Sequence, residues 1–292
     1  MKIIKETQGI KYLSYQLLER QAVVHGFLTR TGGISPAPFE SLNFDFRTDS
    51  KENILKNTEL IAKPFPLLAK RLITLNQVHG VQVFVANEHF HIIPLYERGI
   101  KGDFDGIDAA HPPEADAIVT CLKHTPIGVL TADCLPALLY DPVKKAVGAA
   151  HAGWRGALLK IAQKTVQTMV KSFGSRPEDI IACLGPHIRP CCYDVKEDII
   201  KEFEKVYGDA ALGFFEFTNG SPRLDLAKAV SHSLIEEGLV EKNICSEAPC
   251  TACENKLFFS YRKENGLTGR QLSFIMINSP HPSLPHKGGG IK

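Results

Sequence analysis

Two histidines and one cysteine carry the side chains of a catalytic metal centre, each near the end of a short apolar run: His79 in TLNQVHG, Cys134 in VLTADCLPALLYD and His151 in VGAAHAGWRG. Zn²⁺ favours imidazole and thiolate, and three protein ligands with a fourth position left for water is its catalytic pattern. The ends of strands that face a helix start are where open α/β sheets build their sites. The three residues are 55 and 17 positions apart, so spacing does not define a site as a tight CxxC or HxxxH would. On residue type alone the competing reading is a small buried thiol and two histidines satisfied by backbone.

Candidate partners surround this trio. In HAGWRG a strand gives way to a helix, where free backbone N–H groups and Arg155 suit a phosphate or carboxylate; the glycines otherwise serve close strand–helix packing. Arg30 in FLTRTGG and Asn43 in SLNFD lie in Gly- and Pro-rich loops and offer guanidinium and amide donors to a polar substrate. Asp133 would face away from the Cys134 thiol in a regular strand, whereas a turn would make it an acid–base group or a support. Cys250 and Cys253 form a CxxC with Cys245 nearby, a zinc or redox pattern. No second CxxC or nearby histidine completes a four-ligand set, and Cys191 and Cys192, being adjacent, cannot easily both serve one site and read as buried or loop thiols. Ser260, Arg262 and Arg270, in FFSYRKENGLTGR, read as supports on a hairpin.

The elements that must position these residues are short, turn-bounded apolar runs, read as buried strands: 72–75, 81–85, 117–119, 127–130, 137–140, 146–150, 180–184 and 274–277. After Gly153, Leu158, Ala162, Met169 and Phe173 recur with helical spacing. Asp194 and Glu197 have capping-box spacing before Ile199, Phe203 and Val206, and a third helix runs from Asp225 to a stop at Gly238. This mixture predicts a layered α/β sandwich with a mixed β-sheet and flanking helices, its sheet core between about residues 70 and 185. No repeat or linker divides the chain, so a single domain over 1–278 is expected, with a frayed Pro- and Gly-rich tail at 279–292.

Bulk properties narrow the partners. The chain has 292 residues, 44% of them hydrophobic, enough for a large core. A formal charge of +2, with no basic block, gives nothing to follow a nucleic-acid backbone or an anionic membrane. No secretory segment and no membrane span are legible. A cytoplasmic monomer or small homo-oligomer is expected, and its eight cysteines read as buried, reactive or metal-bound thiols rather than a disulfide framework.

Seven motifs, HGFLTRTGGIS, SLNFD, NQVHG, TADCLPALLYD, GAAHAGWRG, CLGPHIRPCCYDV and FFSYRKENGLTGRQ, occur here in the order in which they occur in the laccase-domain family, also called the multicopper polyphenol oxidoreductase or YfiH family. The chain resembles that family from about His25 to Ile277. The resemblance implies an α/β domain with zinc, or alternatively copper, on His79, Cys134 and His151. It also implies phosphorolysis of adenosine, inosine and methylthioadenosine, with adenosine deamination as a second activity and a nucleoside and phosphate as partners. One departure is visible: FDFRTDSKENILKN, leading to Asn57, is less glycine-rich than the family's stretch.

The mechanism expected is Lewis-acid activation of water or phosphate for attack on the nucleoside, with Arg30, Arg155 and the helix start holding phosphate and Asn43 meeting the nucleoside. The usual zinc deaminase signature, H-x-E with P-C-x-x-C, is absent from the sequence. A blue-copper oxidase would need clustered histidines, and His89 and His91 form the chain's H-x-H, placed on an exposed loop. Two other enzyme readings stay open, a cysteine hydrolase using Cys134 and His151 and a peptidoglycan-precursor editing amidase. A non-enzymatic protein with a structural zinc is a further alternative.

Overall fold

The computed structural model describes residues 1–88 and 112–278. His89, His91 and the tail expected at 279–292 lie outside the described residues. In chain order the strands are β1 (Lys2–Thr7), β2 (Ile10–Tyr15), β3 (Val23–Leu28), β4 (Val83–Val85), β5 (Ala117–Thr120), β6 (Ile127–Thr131), β7 (Leu135–Asp141), β8 (Ala146–Ala152), β9 (Ile181–Leu184), β10 (Phe215–Thr218), β11 (Ser221–Leu224), β12 (Ile244–Cys245) and β13 (Gln271–Ile277). The helices are α1 (Gln16–Glu19), α2 (Lys51–Ala62), α3 (Pro66–Arg71), α4 (Trp154–Leu158), α5 (Ile161–Phe173), α6 (Glu197–Tyr207) and α7 (Leu226–Glu236).

Two sheets pack face to face. One is antiparallel, in the order β1-β2-β3-β13-β6; the other is mixed, in the order β12-β9-β7-β8-β5-β4, with parallel pairs at its two edges. The period of two along a strand sorts the side chains into layers. On β7, Leu138 and Tyr140 enter the core between the sheets with Ile127, Val129 and Ile275, while Leu135, Ala137 and Leu139 face the other way. That outer face packs on Ile161, Val166 and Met169 of α5, Phe203 of α6 and Val230 and Leu234 of α7. The outer face of the antiparallel sheet, with Leu28, Leu272 and Phe274, packs on Ile61 of α2 and Leu68 of α3. The result is a four-layer α/β sandwich. Every residue of β7 and of β8 is buried, which is why both read as unbroken apolar runs.

Several local expectations are corrected. The 72–75 run forms no strand of either sheet among the described residues; it follows directly on α3 and meets β6 at an isolated bridge, Ile73 with Ile127. The helix after Gly153 is broken at Lys160, which takes a left-handed φ of 61° and separates α4 from α5. The capping box at Asp194 and Glu197 does not form; Lys196 stands at the N-cap of α6, and the Asp194 carboxylate accepts from Arg262 at 3.1 Å. The core is not confined to 70–185, since β1–β3 and β13 build most of the antiparallel sheet. The third helix matches its reading: Asp225 accepts from the Lys228 N–H at 3.1 Å, and Gly238 has φ of +102°. Among the described residues no helix is long and apolar enough to cross a membrane.

Candidate metal centre and its cleft

The three ligand candidates reach one place from three kinds of local structure. His151 is the penultimate residue of β8, on the same face as Val147 and Ala149, so its ring enters the space between the sheets at their edge. Cys134 lies where the chain leaves β6 in one sheet and enters β7 in the other, in a sharp turn in which Asp133 has φ of +84°. His79 stands on an irregular loop before β4, itself at a positive φ of 59°.

A buried carboxylate holds that loop and His151 together. Asp116, fully buried just before β5, accepts from the backbone N–H groups of Val78 (3.3 Å), His79 (3.0 Å) and Gly80 (2.6 Å). It also meets Nδ1 of His151 at 2.8 Å, and its own carbonyl accepts from the His151 N–H at 2.7 Å. With Nδ1 committed, Nε2 of His151 is the nitrogen left to face the centre.

The ligand atoms of His79, Cys134 and His151 lie within 4.8 Å of one another, with the Cys134 sulfur 3.9 Å from Nε2 of His79 and the two rings 4.9 Å apart between centroids. A Cβ at Gly153 would lie 3.2 Å from the Cys134 sulfur and 3.2 Å from Cδ2 of His79, so the absence of a side chain there keeps the space open. Burial by itself would raise the Cys134 thiol, but the His151 and His79 rings outweigh it and bring it down to about 6. Burial would likewise lower His151, yet the Cys134 sulfur and Asp116 lift it to about 9. Burial pushes the Asp116 carboxyl up, and its bonds to His151 and to the Gly80 and His79 N–H groups more than reverse this. A sulfur already inclined to ionise, two imidazoles, and a carboxylate fixing one imidazole suit a zinc-type cation.

The trio lines a cleft of about 600 Å³, walled by Asp45, Arg47, Gln77, Tyr193, Tyr261, Arg262 and Arg270. Asp133 also lines it, but its carboxylate is engaged: Oδ1 accepts from the Thr251 hydroxyl and Oδ2 from the Arg262 N–H, both at 2.6 Å. That clamp ties the Cys134 turn to the segments around residues 251 and 262.

The other candidates fall elsewhere. Arg30 is buried against Phe259 and donates to the Asn255 carbonyl and to Glu264 at 2.8 Å, outside the cleft. Asn43 is fully buried and organises a loop, accepting from the N–H groups of Asp45 (3.0 Å) and Arg270 (2.8 Å). Arg155 is exposed, with its guanidinium 4.4 Å from the centroid of the Trp154 ring. Among the described residues the cleft's cationic side chains are Arg47, Arg262 and Arg270; neither Arg47, nor Tyr193 on the same cleft, nor Asp116 carries a sequence signal of its role. The 258–270 segment is a run of turns rather than a hairpin.

A second correction concerns the other thiols. Cys191 and Cys192 fall in one cluster, because they lie in a turn where neighbouring side chains need not diverge as they do on a strand. They approach the Cys253 sulfur to 3.5 and 3.4 Å, and Cys250 completes a group of four.

Residues 24–278 match the family described as multi-copper polyphenol oxidoreductase laccase. The purine nucleoside phosphorylase YlmD of Bacillus subtilis is 34% identical over 87% of this chain and 88% of its own length. A purine nucleoside phosphorylase of Deinococcus radiodurans is 36% identical over 87% and 89%. The crystal structure of YfiH from Bacillus licheniformis superposes with a TM-score of 0.82 at 28% identity, covering 94% of this chain and 99% of that one.

Proposed function

This chain belongs to the multi-copper polyphenol oxidoreductase laccase family, and we propose that it is a cytoplasmic purine nucleoside phosphorylase, splitting adenosine, inosine and methylthioadenosine with inorganic phosphate and deaminating adenosine as a second activity. The observation that carries this reading is the convergence of His79, Cys134 and His151 on the floor of a cleft whose walls supply both cations and aromatic rings.

His79, Cys134 and His151 would hold zinc, with copper as the alternative occupant, and Asp116 would fix the His151 ring. Bound there, the metal supplies a Lewis acid. The protein's own residues do the positioning. Arg270 donates to the carbonyls of Thr268 and Gly269 and so keeps its charge for an anion, whereas Arg47 is paired with Asp45 and Arg262 with Asp194. Arg270 is therefore the principal phosphate anchor, with Arg262 beside it. Tyr193 and Tyr261 line the cleft with aromatic surface suited to a purine, each with an arginine over its ring, Arg262 at 5.4 Å and Arg270 at 5.7 Å. Arg30 and Asn43 act from behind: Arg30 holds Glu264, and Asn43 holds the Arg270 backbone, both in the segment that carries the anchor. Asp133 is a positioning residue for the Cys134 turn.

In phosphorolysis a phosphate oxygen bonds to the ribose C1′ as the C1′–N bond breaks, and the purine leaves with the electron pair and takes up a proton. In deamination water adds at purine C6 and ammonia departs. The test is phosphate-dependent release of base from inosine and adenosine by purified, metal-analysed protein. Full turnover by a metal-free His151→Ala variant would reject the reading.

One geometric fact favours a second reading. Asp116, His151 and Cys134 form a carboxylate–imidazole–thiol series suited to a cysteine hydrolase, or to an amidase editing peptidoglycan precursors. Hydrolysis of muropeptide precursors by chelated protein, abolished by alkylation of Cys134, would select it.

A further inference from the structure

We propose that Cys191, Cys192, Cys250 and Cys253 form a second, purely structural site for one thiophilic divalent cation, zinc above all. It stands apart from the cleft centre and does not rest on the function proposed for that centre.

The chain brings two sequence fragments together at one corner. Cys191 and Cys192 lie in the turn after Pro190, and Cys250 and Cys253 in the turns that follow β12. An isolated bridge between His187 and Cys250 and the bond from the Thr251 N–H to the His187 carbonyl, at 3.0 Å, hold the two fragments in register. All four sulfurs lie within 4.8 Å of one another, and two of the separations are 3.4 and 3.5 Å. A tetrahedron with Zn–S bonds of 2.3 Å has edges of about 3.8 Å, so small shifts would centre one ion. The group is too tight for an iron–sulfur cluster, which holds its cysteines around several irons.

Backbone donors gather at one of the four sulfurs, that of Cys250. The Arg189 N–H points at the Cys250 sulfur at 3.4 Å, and the N–H groups of Ala252 and Cys253 also serve it. A zinc ion with four thiolates is doubly negative, and three arginines hold the local backbone. Arg223 donates to the Cys191 carbonyl at 2.9 Å, Arg262 to that of Cys192 at 3.4 Å and Arg189 to that of Ala248 at 3.0 Å. Binding replaces four S–H bonds with four S–Zn bonds and releases the protons to solvent.

The site would brace the cleft. Tyr193 follows Cys192, and Thr251, which holds Asp133, lies between Cys250 and Cys253. Two protein loops of the cleft wall thus hang from one ion.

The experiment is elemental analysis of full-length protein after loading with Zn²⁺ and exhaustive dialysis, read together with the absorption of a Co²⁺-loaded sample. Wild type should hold two metals per chain, and His79→Ala/His151→Ala one. The cobalt form of that variant should show strong sulfur-to-cobalt charge transfer from several thiolates. Cys250→Ser/Cys253→Ser should lose one metal and keep the other; if it fails to fold, the count and spectrum of the double histidine variant decide. No metal in the histidine variant would overturn the proposal. So would a disulfide between two of these four cysteines, located by peptide mass spectrometry of the denatured, unreduced chain.

Discussion

Among the described residues two corners gather soft donors that could hold a metal ion, and they are built to opposite ends. The cleft corner has two imidazoles and one sulfur, opens onto a cleft of about 600 Å³, and keeps its geometry through a carboxylate that lies behind the His151 ring. The cysteine corner uses four sulfurs, lies outside the cleft lining, and braces itself with backbone N–H groups and arginines. Three ligands with room for a fourth is the layout of chemistry, and four without room is the layout of a staple. Donor number and access separate the two, since both use thiols.

The sharpest way to break this contrast is His151→Ala. Turnover should fall to background with the cleft metal while the fold is retained, as measured by phosphate-dependent base release and circular dichroism. Loss of fold in this variant would mean that the cleft ion is structural too.

Alkylation of chelated protein should separate Cys134 from Cys192 next most strongly. Thiolate forms above the pKa, and Cys134 is brought down to about 6, while burial and the neighbouring Cys253 push Cys192 well up. Near pH 7 iodoacetamide should modify Cys134 at least about a hundredfold faster than Cys192, and its rate should fall as pH drops through about 6. Peptide mass spectrometry reads both sites, and equal rates would refute the contrast.

Asp116→Ala should weaken metal binding at the cleft by about 10–100-fold, the usual cost of removing a carboxylate behind a ligating histidine. Metal titration against a competing chelator checks it, and the count at the cysteine corner should not change. The smallest effect is expected from Arg270→Ala, an increase of about tenfold in KM for phosphate with KM for the nucleoside little changed, consistent with about 1.5 kcal/mol for a charged hydrogen bond. Steady-state kinetics with each substrate varied would show it.

What the sequence made legible follows from which signals are local. The runs that became β7 and β8 are buried on both faces, so apolarity alone revealed them. Residue type and strand-end position agree for Cys134 and His151, whereas the run before His79 forms no strand and its loop is held instead by Asp116. β1 was not, because Lys2, Lys5 and Glu6 interrupt it and its burial alternates between exposed and half-buried positions. Asp116 carries no pattern in PEADAIVT; its role exists only once the 78–80 loop folds over it. Loop arginines are alike in composition, and only burial against Phe259 and Glu264 separates Arg30 from Arg270. Adjacency in sequence separates side chains on a strand but not in a turn, so the grouping of Cys191 with Cys192 is visible only once their turn is formed.

The passage from Thr131 to Leu135 has a consequence for how this architecture tolerates change. Its few residues hand the chain from one sheet to the other, and β7 then sends Leu135, Ala137 and Leu139 one way and Leu138 and Tyr140 the other. One residue inserted there would exchange those two sets, exposing each to the wrong layer. Length at that crossing is thus as tightly constrained as the identity of the ligand it carries, and lineages bearing this corner should vary in loop size almost anywhere else first.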